Sequence, residues 1–102
     1  MLKIELLNTE TKKKETFTQD FISARLVRKS LELQAEMKKG KKSDLEYLDN
    51  AIEFVVSVFD NPAVTVDAIL DGLNGNELWK TLIEILNKVA NGDNDEANSE
   101  GK

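Results

Sequence analysis

Carboxylates are the groups in this sequence with which acid–base or metal chemistry could be done, because its 102 residues include no His and no Cys. Asp67 and Asp71 are four residues apart, which would place both on one side of a helix, where two carboxylates could form a catalytic or metal-binding pair. The simpler interpretation is that Asp67 belongs to a helix start and Asp71 stands beside a glycine turn. Since no third ligand or base accompanies the pair, we predict no enzyme activity, no metal site and no cofactor.

Two other charged stretches invite a ligand interpretation. Four lysines flank Gly40 in the run KKGKK over residues 38–42 and could contact phosphate, but no aromatic side chain is interleaved to stack on a base. Lysines and a glycine in this order are also typical of the end of a helix. Asp93, Asp95 and Glu96 resemble half of a calcium loop but lack the closing Glu at the required spacing. We interpret both stretches as solvated charge.

Length and composition narrow the class of protein. A chain of this length is expected to form one domain, and its 40% hydrophobic and 32% charged residues indicate a soluble, folded protein. The net charge of -5 argues against non-specific nucleic-acid binding, which needs a basic surface. The N-terminus lacks an apolar run of signal length, and no stretch approaches 18 consecutive apolar residues. We therefore expect a cytoplasmic protein with no membrane or nucleic-acid partner.

Residues 45–59, LEYLDNAIEFVVSVF, predict the helix around which the chain is organised. At about 100° per residue, two adjacent apolar rows cover an arc of roughly 200°. The rows are Leu45, Leu48, Ile52, Val55, Val56 and Phe59, and Tyr47, Ala51, Phe54 and Val58. Ser43 and Glu46 predict a capping box at its start. So wide an arc predicts neighbours on two sides, with the N-terminal elements on one and the last helix on the other.

The N-terminus predicts a β-hairpin. Leu2, Ile4 and Leu6 alternate with charged residues such as Lys3. An alternation of period two is typical of a strand with one buried face. Residues 15–18 could form the return strand. Two strands alone are marginal in water, so the hairpin must lie on the helices.

The next predicted element is an amphipathic helix over residues 18–37, with Thr18, Asp20 or Ser23 as its N-cap. Two apolar rows follow its length. They are Ile22, Leu26, Leu33 and Met37, and Ala24, Val27, Leu31 and Ala35. The charged residues fall together on its outer face: Arg25, Arg28, Lys29, Glu32 and Glu36.

Two further helices complete the predicted fold. A short helix covers residues 65–72, and a strongly amphipathic last helix covers residues 76–90. The predicted fold class is therefore mostly α (α+β): an N-terminal hairpin followed by a small bundle of three main helices plus one short helix. Residues 1–91 are expected to form this single domain, and residues 92–102 a disordered acidic tail, because that stretch has one apolar residue and four acids.

The apolar arcs of the three main helices, each roughly 160° or more, could exceed what a chain of this length can bury. A surplus face would serve a partner protein or a second copy. Trp79 lies well inside the arc of the last helix, which favours a core position over a binding anchor. Arg25, Arg28 and Lys29 share the outer face of the first helix, which supports an alternative: a small helical regulatory or DNA-associated protein. The candidate partner-binding residues are Arg25, Arg28, Lys29, Trp79, Asp93, Asp95 and Glu96.

Two segments resemble phage tail assembly chaperones of Gram-positive siphophages. Residues 18–37, TQDFISARLVRKSLELQAEM, are similar to a run of the form DF-x-x-AR-x-VR-x-x-LELQ that follows the family's N-terminal hairpin. Residues 54–92 resemble its second half, V-x-x-F-x-N followed by T-V-D-x-I-x-DGL and a final helix. The matching positions are Val55, Val56, Phe59, Asn61, Thr65, Val66, Asp67, Ile69, Asp71, Gly72 and Leu73.

The resemblance implies a non-enzymatic role in tail assembly of a siphovirus. Members of this family bind the long, aggregation-prone tape measure protein, keep it soluble and help tail-tube subunits polymerise around it. They act in the host cell cytoplasm and are absent from the finished virion. In many of these phages a programmed frameshift adds a C-terminal extension, which recruits the tail-tube (major tail) protein. The resemblance thus implies both proteins as partners, and self-association into a homo-oligomer is compatible with it.

Overall fold

The computed structural model describes residues 2–92, and it confirms the predicted hairpin followed by helices. The elements are β1 (Leu2–Asn8), β2 (Lys13–Gln19), α1 (Ala24–Lys39), α2 (Asp44–Val58), α3 (Val66–Gly72), a 3-10 turn (Gly75–Glu77) and α4 (Leu78–Ala90). From position 93 onward, the acidic stretch lies outside the described residues. The predicted boundary between domain and tail therefore stays a prediction.

The hairpin buries one face of β1. Leu2, Ile4 and Leu6 are all buried, as their alternation predicts. The antiparallel ladder sets Ile4 opposite Phe17, and Phe17 is the partly buried residue through which β2 packs on the core. The ladder runs on to Leu2 and Gln19, so β2 is longer than the sequence pattern indicates.

The first helix begins later than predicted. Thr18 pairs with Lys3 in the hairpin ladder, and the backbone there is committed to strand hydrogen bonds. The helix therefore starts at Ala24, with the hydroxyl of Ser23 accepting a hydrogen bond from the Leu26 N–H at 3.4 Å. The predicted start at Thr18 was wrong, and of the three candidate caps only Ser23 is used.

The turn between α1 and α2 has the predicted caps and one additional clamp. Ser43 and Glu46 form the reciprocal capping box of α2, and Gly40 ends α1 in the left-handed region with φ of 63°. Tyr47 adds the clamp: its hydroxyl donates to the Glu36 carbonyl at 3.0 Å and accepts from the Lys42 N–H at 3.0 Å. The two helices are thereby joined as an antiparallel hairpin.

The core lies where α2 and α4 meet β1. Its largest contribution comes from α2, whose buried residues are Tyr47, Ala51, Ile52, Phe54, Val55 and Val58. The second comes from α4, with Leu82, Ile85, Leu86 and Val89. α2 contacts α1, α3 and α4, as its wide arc predicts, whereas β1 packs mainly against α3 and α4. The sequence predicted that the hairpin and α1 together cover one side of α2. The structure corrects this prediction, because α1 contacts α2 whereas β1 packs mainly against α3 and α4.

Leu45 departs from the predicted core row of α2. It is 66% exposed, although Ile52 of the same row is fully buried. Leu45 stands in the first turn of α2, where the row continues beyond the elements that pack on it. Periodicity shows which way a side chain points but not where its neighbours end.

Candidate partner-binding surface

One row of α1, made of three apolar residues and two cations, faces outward. We call Ala24, Arg28, Leu31, Ala35 and Lys38 the outer row; successive members are four, three, four and three residues apart, so they share one face of the helix. All five are exposed, and Leu31 keeps 54% of its surface. The sequence pattern assigned Ala24, Leu31 and Ala35 to one of the two apolar rows of α1 but did not show which row is covered. This row is the surplus apolar face that the helix arcs predicted.

A buried polar contact between α1 and α4 explains why the outer row points away from the core. Ser30 is fully buried, and its hydroxyl donates to the Leu86 carbonyl at 2.6 Å. The Gln34 side-chain amide donates to the same carbonyl at 3.3 Å and to the Ser30 hydroxyl at 3.3 Å. Because Ser30 faces α4, Leu31 lies about 100° further round the helix, in solvent.

Ser30 and Gln34 were missed by reasoning from the sequence. Both lie between the two apolar rows of α1, at i and i+4, and a small polar residue in that position was the only available signal. A buried hydroxyl needs a partner, and the Leu86 carbonyl supplies one, because a carbonyl oxygen has two lone pairs and can accept a hydrogen bond in addition to that of its own helix.

The predicted basic residues lie in and beside the outer row, of which Arg28 is a member. Arg25, Arg28 and Lys29 are exposed, and Arg28 forms an ion pair with Glu32 at 2.7 Å. With its side chains 77% and 49% exposed, this pair contributes at most about 1 kcal/mol to stability. Glu36 follows one turn later, so the flank is basic towards the N-terminus and acidic further on. A flank of mixed sign is a poor footprint for DNA, which needs a continuous basic surface.

Trp79 lies at the start of α4 and is 40% exposed. Ile83, Leu86 and Ala90 share its row at helical spacing. The carbonyl of Leu86 is bonded to α1, so this row lies on the α1 side of α4. Trp79 therefore belongs neither to the buried core nor to an open face. Two-fifths of its surface is free.

The outer row runs along the exposed side of α1, between the contacts of this helix with α2 and α4. Lys29, Leu33 and Glu36 of α1 line a groove shared with Phe54 of α2, and Ser30 touches α4. Continuing round α1 in the same direction leads from α2 to α4 and then to the outer row. Ala35 of the outer row lines the same groove, so the outer row borders the α2 side of α1 as well as the α4 side.

The carboxylate pair considered for catalysis lies elsewhere. Asp67 and Asp71 line a groove between α3 and the hairpin together with Glu10 and Glu15. Within residues 2–92, no group of three or more potential ligands is close enough to hold a metal ion. The half-loop of Asp93, Asp95 and Glu96 lies outside the described residues.

The described part of the chain also offers no helix that combines the length and the apolar content needed to span a bilayer. Comparison with known proteins gives one match. A family model described as "Phage tail chaperone protein" matches residues 1–102, the whole chain. No curated protein and no solved structure matches.

Proposed function

Because the chain belongs to the phage tail chaperone protein family, we propose that it binds the tape measure protein of its phage, keeps that protein soluble and assists tail-tube polymerisation. The family match over the whole chain is the observation that carries this proposal. The role is one of assembly and not of catalysis, it is exercised in the cytoplasm of the host of a siphovirus, and the protein does not remain in the virion.

The outer row of α1 fits this function. A tape measure protein presents apolar helical stripes, and an amphipathic helix binds by laying its apolar face against a complementary apolar surface. Ala24 and Ala35 let a second helix approach closely, and Leu31 supplies an apolar anchor. Trp79, which is 40% exposed, is of the residue type that dominates binding energies. Arg25 and Lys29 stay in solvent beside the contact, where charge keeps the complex soluble.

The proposal extends to the tail-tube protein as a second partner. A frameshift near the end of the gene would produce a longer form whose added segment recruits tube subunits. The acids Asp93, Asp95 and Glu96 would then lie between the chaperone domain and the added segment, where they could contact either partner. A longer product that co-purifies with tube protein during infection would support this, and a single product throughout infection would contradict it.

Co-expression tests the function directly. We expect the tape measure protein of the same phage to be largely insoluble when expressed alone and to become soluble, several-fold more abundant in the supernatant, when this chain is expressed with it. The two proteins should also co-purify. An acidic helical protein of similar size serves as the control for unspecific solubilisation. A tape measure protein that stays insoluble and does not co-purify contradicts the proposal.

A further inference from the structure

The outer row has the spacing of a coiled-coil seam. Ala24, Arg28, Leu31 and Ala35 alternate four and three residues apart, which averages the 3.5-residue period at which one helix packs along another. All four residues are exposed along a helix of 16 residues. The shape of this surface therefore suits a second helix that lies nearly parallel to the axis of α1.

The outer row is also complementary to the outer row of a second copy when the two α1 helices are antiparallel. About a two-fold axis that crosses α1 between Lys29 and Ser30, Ala24 of one copy meets Ala35 of the other, and Arg28 meets Leu31. Each pairing occurs twice. Two small-on-small layers bring the helices close together, and the aliphatic stem of arginine can cover leucine while its guanidinium stays in water.

The charges beside the row select the same orientation. Arg25 follows Ala24 and Glu32 follows Leu31, so both lie on one flank of the row, at positions that face each other across an antiparallel helix pair. Arg25 of each copy would meet Glu32 of the other. A parallel pair would instead stack Arg28 on its own counterpart, with two like charges in the seam.

From this self-complementarity we propose that two copies of the chain associate through α1, antiparallel and about this two-fold axis. The contact extends over residues 24–35, about 18 Å of helix, which places it at the small, weak end of specific interfaces. It is reversible, and it covers Leu31 while no tape measure protein is bound. This association requires only the isolated chain, so it stands or falls independently of the proposed function.

Sedimentation of the purified chain over a range of concentrations from micromolar to millimolar tests the association. We expect the mass to rise from monomer to dimer and not beyond, because a two-fold contact is closed. Arg25→Glu should weaken the dimer about tenfold, since it replaces two attractive pairs by two repulsive ones. Glu32→Arg should weaken it at least as much, because it also removes the ion pair of Glu32 with Arg28 on the same helix. The double variant Arg25→Glu/Glu32→Arg should restore it.

Two leucine variants complete the test. Leu31→Lys should abolish the dimer, whereas Leu45→Lys, at a similarly exposed leucine outside the row, should leave it unchanged. A monomer at every concentration overturns the proposal. A dimer that survives Leu31→Lys, or one that the double charge reversal does not restore, overturns the antiparallel α1 contact. All substituted residues are exposed, and circular dichroism at each step verifies that the variants are folded.

Discussion

Replacing Leu82 by Ala is expected to lower the free energy of unfolding by about 2–5 kcal/mol, the largest loss that we predict for a single substitution. Leu82 is fully buried in the middle of α4, the helix that contacts α1, α2 and β1. Truncation removes apolar contacts and leaves a cavity among elements that restrain one another and cannot close it. Thermal or urea denaturation followed by circular dichroism measures the loss. For a domain of this size, each kcal/mol lowers the melting temperature by about 4–8 °C.

The same truncation at two exposed leucines is the matched control. Leu31→Ala and Leu45→Ala remove the same atoms from residues that are 54% and 66% exposed, so each should change stability by less than about 0.5 kcal/mol. If Leu31→Ala destabilises the chain as much as Leu82→Ala does, the outer row belongs to the core and its assignment as a binding surface is wrong.

Replacing Gly72 by Ala is expected to lower the free energy of unfolding by about 1–2 kcal/mol. A Cβ at Gly72 would lie 3.0 Å from the Leu6 Cβ, 3.0 Å from the Leu7 carbonyl oxygen and 3.1 Å from the Leu7 nitrogen. Two of these atoms are backbone, so they cannot rotate away and the hairpin must shift from α3. Overpacking of this kind costs about 1–3 kcal/mol, and the reduced entropy of the unfolded chain offsets about 0.4–1 kcal/mol.

Gly75→Ala separates the close approach from the general effect of removing a glycine. A Cβ at Gly75 meets nothing within 4 Å, and its φ needs no left-handed backbone. The substitution should leave stability unchanged or raise it slightly, because alanine restricts the unfolded chain. Equal losses at Gly72 and Gly75 would show that the hairpin is not held against α3 as the structure has it.

Much of the fold could be read from local chemistry in the sequence. The alternation of Leu2, Ile4 and Leu6, the capping box at Ser43 and the glycine at position 40 each depend on a few neighbouring residues, and the structure contains all of them. The α-helical periods of the last helix and of most of the central helix also gave their buried faces correctly.

What the sequence could not give depends on contacts between distant residues. The start of α1 was misplaced because Thr18 pairs with Lys3 across the hairpin, and strand pairing is not visible in a helical period. The sequence also left open which apolar row of α1 is covered, because the bond from Ser30 to the Leu86 carbonyl fixes the rotation of the helix. The role of Gly72 is likewise invisible locally, since its spacing requirement comes from the opposing strand.

For the candidate surface, the sequence predicted a surplus apolar face but not its location. The wide helix arcs predicted a surplus apolar face, and the charged neighbours Arg25, Arg28 and Lys29 were assigned to the outer side of α1, where they lie. The sequence did not locate the surplus face, because three helices with similar arcs do not reveal which of them lacks a neighbour. Whether these residues bind a partner stays a prediction.

The most direct test is the amount of tape measure protein that each of three chains keeps soluble on co-expression: the unaltered chain, Leu31→Lys and Leu45→Lys. The outer row predicts that Leu31→Lys loses most of the soluble, co-purifying tape measure protein, while Leu45→Lys retains it. Equal retention by both variants, or equal loss, would contradict binding through the outer row of α1.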